Sequence, residues 1–110
     1  MDITEGRRGS ILVFGVTGRL DATTSKMLEE KLLATIDTGE RQLVVDFSHL
    51  DYISSSGLRL LLLVAKRLSS VNGKIVFCCM QDYVRQVFDM AGFSSIFSIF
   101  NSQEDAIKSV

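Results

Sequence analysis

Three consecutive serines, Ser54, Ser55 and Ser56, followed directly by Gly57, form the segment of this chain with the clearest chemical potential. They come after a largely apolar run, Leu43–Phe47, and before a second apolar run. A serine at the start of a helix caps backbone N–H groups. The same unpaired N–H groups and the helix dipole also attract an anion such as phosphate. Because one hydroxyl is enough for a cap, two interpretations stay open: a cap alone, or a phosphate or partner site.

Serine hydrolysis is one alternative use of these hydroxyls. A nucleophilic serine needs a nearby base and a group that orients the base. His49 is the sole histidine of the chain, and the pattern places it on the turn that leaves the preceding strand. No serine stands in a Gly-x-Ser-x-Gly motif. We therefore expect a binding protein and not an enzyme.

Nucleotide and metal binding are two further alternatives. The chain has neither a Gly-x-x-x-x-Gly-Lys-Ser/Thr loop nor a Gly-x-Gly-x-x-Gly loop, although an anion could still bind at the same helix start. Cys78 and Cys79 are adjacent, and neighbouring residues of a strand point to opposite faces. We expect both to be small buried residues in a reducing compartment, neither bridged nor sharing a metal. The sequence predicts no cofactor and no metal.

The pattern of apolar residues around the serines indicates strands alternating with helices. The first helix follows two strands, takes its N-cap from Thr23, Thr24 or Ser25, and ends at Gly39. We expect strands over 2–7, 11–16, 43–47, 74–79 and 97–100, and further helices over 58–68, between Asp82 and Gly92, and from Ser102 onward.

This alternation predicts the fold class. Strands joined through helices pair in parallel with right-handed crossovers, whereas the first two strands form an antiparallel edge. A chain of 110 residues is long enough for one hydrophobic core. We therefore predict a single α/β domain over residues 1–110, with a mixed, mostly parallel sheet of four to five strands packed with about four helices.

Composition narrows the class of partner. Hydrophobic residues make up 46% and charged residues 23% of a chain with net charge -1, which is typical of a globular protein. There is no basic excess, so we expect neither nucleic acid nor a membrane as partner. The longest uncharged apolar stretch, Leu60–Ala65, is too short to span a bilayer. Residues 1–5 contain no apolar run that could serve as a secretion signal, so we expect none. We expect a cytoplasmic protein.

Four pieces of the sequence form a pattern in a fixed order along the chain. They are Gly-Arg-Leu-Asp at 18–21, Val-Val-Asp-Phe-Ser at 44–48, Tyr-Ile-Ser-Ser-Ser-Gly-Leu at 52–58, and Phe-Asp-Met-Ala-Gly-Phe at 88–93. Together they resemble the STAS domain of bacterial anti-sigma factor antagonists. The Ser-Ser-Gly-Leu sequence at 55–58 is the most specific, and the segment at 18–21 supports it. The resemblance extends in order over nearly the whole chain.

The resemblance implies a function for the serines. In that family the serine two residues before the glycine is phosphorylated, which corresponds to Ser55, with Ser54 and Ser56 as alternatives. The unmodified antagonist binds an anti-sigma factor, often itself the serine kinase, and so frees a sigma factor. Phosphorylation breaks that complex, and a serine phosphatase restores it.

The resemblance also implies a partner surface around the serines. The residues expected to contact the partner are Gly18, Arg19, Asp21, Ser54, Ser55, Ser56, Gly57 and Arg59. The family commonly has aspartate immediately before the phosphorylated serine, where this chain has Ser54. Two alternatives remain open on the same fold: a module of another partner-switching or stressosome-type pathway, and a nucleotide- or anion-binding STAS domain.

Overall fold

The structure, a computed structural model, describes residues 1–110. Its strands are β1 (Asp2–Arg8), β2 (Ile11–Leu20), β3 (Gln42–Ile53), β4 (Lys74–Cys78) and β5 (Ile99–Phe100). Its helices are α1 (Ala22–Asp37), α2 (Ser55–Ser69), α3 (Asp82–Met90) and α4 (Gln103–Ser109), with a 3-10 turn at Phe93–Ser95. No helix combines the length and the apolar content needed to cross a bilayer.

The five strands form one mixed sheet in the order β1-β2-β3-β4-β5. The pair β1 and β2 is antiparallel, and the remaining neighbours are parallel. Each parallel pair is connected through a helix, as the alternation of the sequence predicts. The predicted α/β fold with its antiparallel edge is therefore confirmed.

The two faces of the sheet are covered unequally. The main core lies between one face and α1, α2 and α3, and its aromatic centre includes Phe47 and Phe77, stacked with ring centroids 5.6 Å apart. Val44 and Val76, which point to the other face, join Ala106 of α4 in a second, smaller cluster. Because α4 is short, part of that second face stays open toward β1 and β2.

Two strands run further than the sequence predicts. Strand β2 continues through Gly18 to Leu20, beyond the predicted end at residue 16, and β3 continues through residues 48–53, beyond the predicted end at residue 47. Polar residues such as Ser48 and His49 are typical of a loop, but here they line the open part of the sheet, whereas Leu50 and Ile53 are buried as in any strand. His49 consequently lies within β3 and not on an exit turn.

Helix α1 begins earlier than predicted. Its N-cap is Asp21, and the candidates Thr23, Thr24 and Ser25 all lie inside its first turn. Oδ1 of Asp21 accepts hydrogen bonds from the backbone N–H groups of Thr23 and Thr24, and its negative charge also interacts favourably with the helix dipole, which a neutral hydroxyl cannot do. At the other end Gly39 follows the helix with φ of 104°, as expected of a residue that stops a helix.

The carboxyl-terminal part differs from the prediction only in detail. Strand β5 has two residues in place of four, because the chain forms a 3-10 turn and buries Phe97 in the main core before it joins the sheet. Helix α4 is present where predicted, and Ser102 is its N-cap, with a hydroxyl that accepts a hydrogen bond from the backbone N–H of Asp105 at 3.1 Å.

Candidate functional site

The two segments expected to form the site meet at the carboxyl edge of the sheet. Strands β2 and β3 end side by side, with Arg19 opposite Tyr52 and Leu20 opposite Ile53. The backbone N–H of Ser54 then donates to the carbonyl of Leu20 at 2.9 Å. The segment 18–21 therefore lies directly beside the segment 54–57.

Helix α2 starts within the run of serines. Ser54 has an extended backbone and caps the helix, and its hydroxyl accepts the backbone N–H of Gly57 at 3.2 Å. Ser55 and Ser56 are the first two helical residues, and their N–H groups are the unpaired donors that a helix start leaves. The first turn carries no acidic side chain. This helix end therefore keeps its partial positive charge.

The three serines differ in their surroundings. Ser54 is half-buried and its hydroxyl is engaged in the cap. Ser56 is also half-buried and lines a groove between α1 and α2. Ser55 is exposed, and its hydroxyl makes no hydrogen bond within the protein. Of the three hydroxyls, that of Ser55 is the most accessible to another protein.

Gly57 is required by close packing. A Cβ atom at this position would lie 2.8 Å from Cγ1 of Ile53 and 3.1 Å from Cγ of Leu20, and both of these side chains are buried. The first turn of α2 thus rests directly on the ends of β2 and β3. Leu20 and Ile53 fill the space beside Gly57, so the missing side chain does not leave room for a phosphate or a partner.

The carboxylate of Asp21 caps the N-terminus of α1. Its Oδ1 accepts the backbone N–H groups of Thr23 and Thr24, both at 3.1 Å, and Thr24 Oγ1 accepts the backbone N–H of Asp21 in return. The hydrogen bond from the backbone of Thr24 is the main reason why the pKa of Asp21 lies below its usual value. The carboxylate remains half-exposed, so capping does not remove it from the surface.

Two arginines flank the serines. The Arg19 guanidinium lies 4.2 Å from the centre of the Tyr52 ring, a cation–π contact that holds it against β3. Arg59 is exposed and follows Ser55 by four residues, so the two share one face of α2. Gly18 precedes Arg19 near the end of β2, and its φ of 104° is a backbone conformation that favours glycine.

A groove between α1 and α2 extends the candidate surface beyond the predicted residues. Its volume is about 420 Å³. It is lined by Ala22, Ser25, Lys26, Glu29, Ser56, Arg59, Leu60 and Leu63. No motif in the sequence points to Lys26 or Leu63, because only the packing of the two helices brings them beside Ser56.

His49 lies apart from the serine hydroxyls. Its side chain is exposed and lines a cleft of about 430 Å³ on the open face of the sheet, together with Ser48 and residues of β1. It makes no hydrogen bond to a serine. The geometry therefore offers no pair of serine nucleophile and histidine base.

The side chains of Cys78 and Cys79 do not point to opposite faces of the sheet, and the prediction that they would is wrong. Strand β4 ends at Cys78, and Cys79 has a left-handed backbone with φ of 67°, so the alternation of faces is broken there. As a result, the ligand atoms of Asp46, Cys78 and Cys79 all lie within 4.8 Å of one another. Cys78 is buried and Cys79 half-buried, and desolvation raises the pKa of both thiols.

Known proteins share both this sequence and this architecture. The profile of the STAS domain matches residues 3–106. Over 106 residues the chain is 43% identical to BtrV of Bordetella bronchiseptica, a candidate anti-sigma factor antagonist, with 96% of this chain and 91% of BtrV covered.

Solved structures of other proteins have the same fold as this chain. A candidate anti-sigma factor antagonist of Thermotoga maritima is similar with a TM-score of 0.93 at 15% identity, covering 98% of this chain and 93% of the other. The anti-sigma factor antagonist SpoIIAA in its unphosphorylated form gives 0.85 at 23% identity, with 98% and 95% covered. The phosphorylated form of the same Bacillus protein gives 0.76 at 22% identity, with 98% of each chain covered.

Proposed function

The chain belongs to the STAS domain family, and from this premise we propose that it is a cytoplasmic anti-sigma factor antagonist switched by phosphorylation of Ser55. In its unmodified form it binds an anti-sigma factor that is itself a serine kinase, and so releases a sigma factor. A serine phosphatase returns the phosphorylated form to the binding state. The names of BtrV and SpoIIAA support the role of antagonist.

One observation carries the choice of Ser55: it is the exposed serine at the open start of α2, beside the segment 18–21. Ser54 would have to give up its cap on Gly57 to be phosphorylated. Ser56 would have to turn out of the groove between α1 and α2. Ser55 meets neither obstacle, so its hydroxyl is the one that a kinase reaches without rearranging the helix.

The free protein accommodates a phosphate on Ser55 well. Phosphorylation adds nearly two negative charges and three acceptor oxygens. The unpaired N–H groups and the partial positive charge at the start of α2 favour a group of that kind. Arg59, on the same helical face, supplies a cation. Phosphorylation therefore does not require the domain to refold.

The complex, in contrast, does not accommodate the phosphate. A partner that covers Ser55 has to remove water from a group with nearly two negative charges, which costs several kcal/mol unless the partner supplies cations. A cost of about 4 kcal/mol reduces affinity about a thousandfold. A local change of charge is thus enough to switch the partner.

Intact-mass spectrometry with site mapping tests the position of the switch. The protein is incubated with ATP and the purified kinase-type anti-sigma factor. We expect one added phosphate on the wild type and on Ser54→Ala and Ser56→Ala, and none on Ser55→Ala. A phosphate that persists in Ser55→Ala and maps to a neighbouring serine would contradict the choice of residue.

A binding titration tests the consequence of the switch. Ser55→Asp places one permanent negative charge at the site, and we expect it to weaken the complex with the anti-sigma factor about 100-fold, equivalent to about 2.7 kcal/mol. Ser69→Asp adds the same charge at the exposed far end of α2 and should leave the affinity unchanged. Wild-type affinity in the Ser55→Asp variant would refute a phosphorylation switch.

A further inference from the structure

A cluster of two thiols and one carboxylate lies on the face of the sheet that α4 covers, away from the serines. Its members are Asp46, Cys78 and Cys79, whose ligand atoms lie within 4.8 Å of one another. We propose that these three side chains form a binding site for a thiophilic divalent cation, zinc in the cell. The site is independent of the proposed partner switch.

The backbone brings the three groups together in two steps. Asp46 and Cys78 are register partners across the parallel pair of β3 and β4, so their side chains project from the same face of the sheet. The next residue of a regular strand would point its side chain to the opposite face. Cys79 departs from the strand with φ of 67°, and its sulfur stays on the side of Cys78.

The conformation of Cys79 is unusual for its residue type. The other non-glycine residue with positive φ is Asn72, and asparagine tolerates this region readily. Cysteine has no such preference, and the conformation costs of the order of 1 kcal/mol. The bond from its backbone N–H to the carbonyl of Phe100, at 3.0 Å, helps to hold Cys79 in place. This fixed backbone keeps the two thiols on the same side of the sheet, so a ligand can bind both without a rearrangement of the chain.

The donor set selects the class of ion. Two cysteine sulfurs and one carboxylate oxygen suit zinc, whereas calcium and magnesium prefer oxygen ligands alone. Zinc bonds of about 2.0–2.3 Å require the ligand atoms to lie within roughly 4 Å of one another. The three ligand atoms, all within 4.8 Å of one another, lie close to that spacing already. Water would fill the fourth position, since Asp46 and Cys79 are only half-buried.

Neighbouring groups already orient the carboxylate of Asp46. Asp46 Oδ1 accepts the backbone N–H of Ser48 at 2.8 Å, and Oδ2 accepts Nε2 of Gln103 at 2.9 Å. Hydrogen bonds of this kind hold metal ligands in position, and their loss typically lowers metal affinity. Gln103, at the start of α4, is thus a positioning residue for Asp46.

The reaction on binding is an exchange of protons for the cation. The S–H bonds of Cys78 and Cys79 break, two bonds between sulfur and the metal form, and two protons pass to solvent. No electron is transferred. The buried setting of Cys78, among Ile11, Val13, Val44 and Val76, keeps water away from one of the two metal–sulfur bonds.

Titration of the reduced, metal-free protein with cadmium chloride tests this site, because cadmium thiolates absorb in the near ultraviolet and the free thiols do not. We expect a charge-transfer band that saturates at one cadmium per chain and that decreases when zinc chloride displaces the cadmium. Either ion should also raise the midpoint temperature of thermal unfolding. Absence of the band, or saturation without any thermal shift, would overturn the proposal.

Variants separate this site from unspecific binding. Cys79→Ser and Asp46→Asn should lower cadmium affinity at least as much as Gln103→Ala, for which we expect about a 10–100-fold loss. Asp51→Asn, an exposed carboxylate further along β3, should bind cadmium like the wild type, and so should Ser55→Ala. Cys79 is half-buried, so its serine variant should fold. Wild-type affinity in Cys79→Ser would also overturn the proposal.

Discussion

Two helices start side by side at the same edge of the sheet, and their first turns are built in opposite ways. Helix α1 begins with Asp-Ala-Thr-Thr at 21–24, and α2 begins with Ser-Ser-Ser-Gly at 54–57. The first has a charged cap, in which Asp21 Oδ1 accepts the backbone N–H of Thr24 and Thr24 Oγ1 accepts the backbone N–H of Asp21. The second has a neutral cap that reaches only Gly57.

The difference determines which helix start can accept an anion. At α1 the carboxylate of Asp21 already occupies the N–H groups and offsets the partial positive charge. At α2 neither the cap nor the first turn contributes a negative charge. A phosphate on Ser55 would therefore meet favourable charge, whereas one at the equivalent position of α1, Ala22, would meet Asp21.

The largest effect is expected at the fourth residue of each first turn. Gly57→Val should destabilise the protein by about 2 kcal/mol, because the new side chain overlaps Ile53 and Leu20, which are buried. The matched change Thr24→Val, which keeps the shape but removes the hydroxyl of the capping box, should cost about 1 kcal/mol. Urea unfolding measures both values. A Gly57→Val variant as stable as the wild type would show that α2 can move away from the strand ends.

Much of this architecture could be predicted from the sequence because local patterns determine it. The apolar face of α1, with Leu28, Leu32 and Ile36, is fully buried, and the run 43–47 is a buried strand. The expected proximity of the segment 18–21 to the serines rested on the family resemblance, and it follows physically from the parallel pairing of β2 and β3.

Other features depend on interactions that a linear pattern does not contain. Strand β3 runs to Ile53 because β2 continues beside it, although its polar residues are typical of a loop. Asp21 becomes the cap of α1 only once the chain turns there out of β2. The thiols of Cys78 and Cys79 meet because one residue adopts a left-handed backbone, and no sequence rule predicts this for a cysteine.

The next smaller effect is expected at the cap of α2. Ser54→Ala removes the hydrogen bond to the backbone N–H of Gly57 and should lower the free energy of unfolding by about 1 kcal/mol. Ser55→Ala, one residue further, removes a hydroxyl without a partner and should change stability by less than about 0.5 kcal/mol. Equal effects of the two changes in urea unfolding would contradict the assignment of the cap.

A pH-dependent effect distinguishes the charged cap of α1. Because hydrogen bonds hold the pKa of Asp21 below its usual value, its charge contributes stability at neutral pH, and this contribution is lost as the pH falls through about 4 toward the lowered folded-state pKa. Asp21→Asn keeps a cap but has no charge, so it should cost less than Ser54→Ala. The difference from the wild type should shrink on acidification. A difference that stays constant between neutral and acidic pH would mean that the charge has no role.

The smallest effect comes from giving α2 the kind of cap that α1 has. Ser54→Asp introduces the aspartate that is common in the family at this position, and its interaction with the helix dipole should stabilise the unmodified protein by about 0.5 kcal/mol. After phosphorylation of Ser55 the same carboxylate lies next to the phosphate, and repulsion between the two should cancel that gain. Urea unfolding of both forms, with and without the substitution, measures this coupling. An equal gain in the phosphorylated form would mean that the phosphate points away from the helix start, and that the open cap of α2 is not what accommodates it.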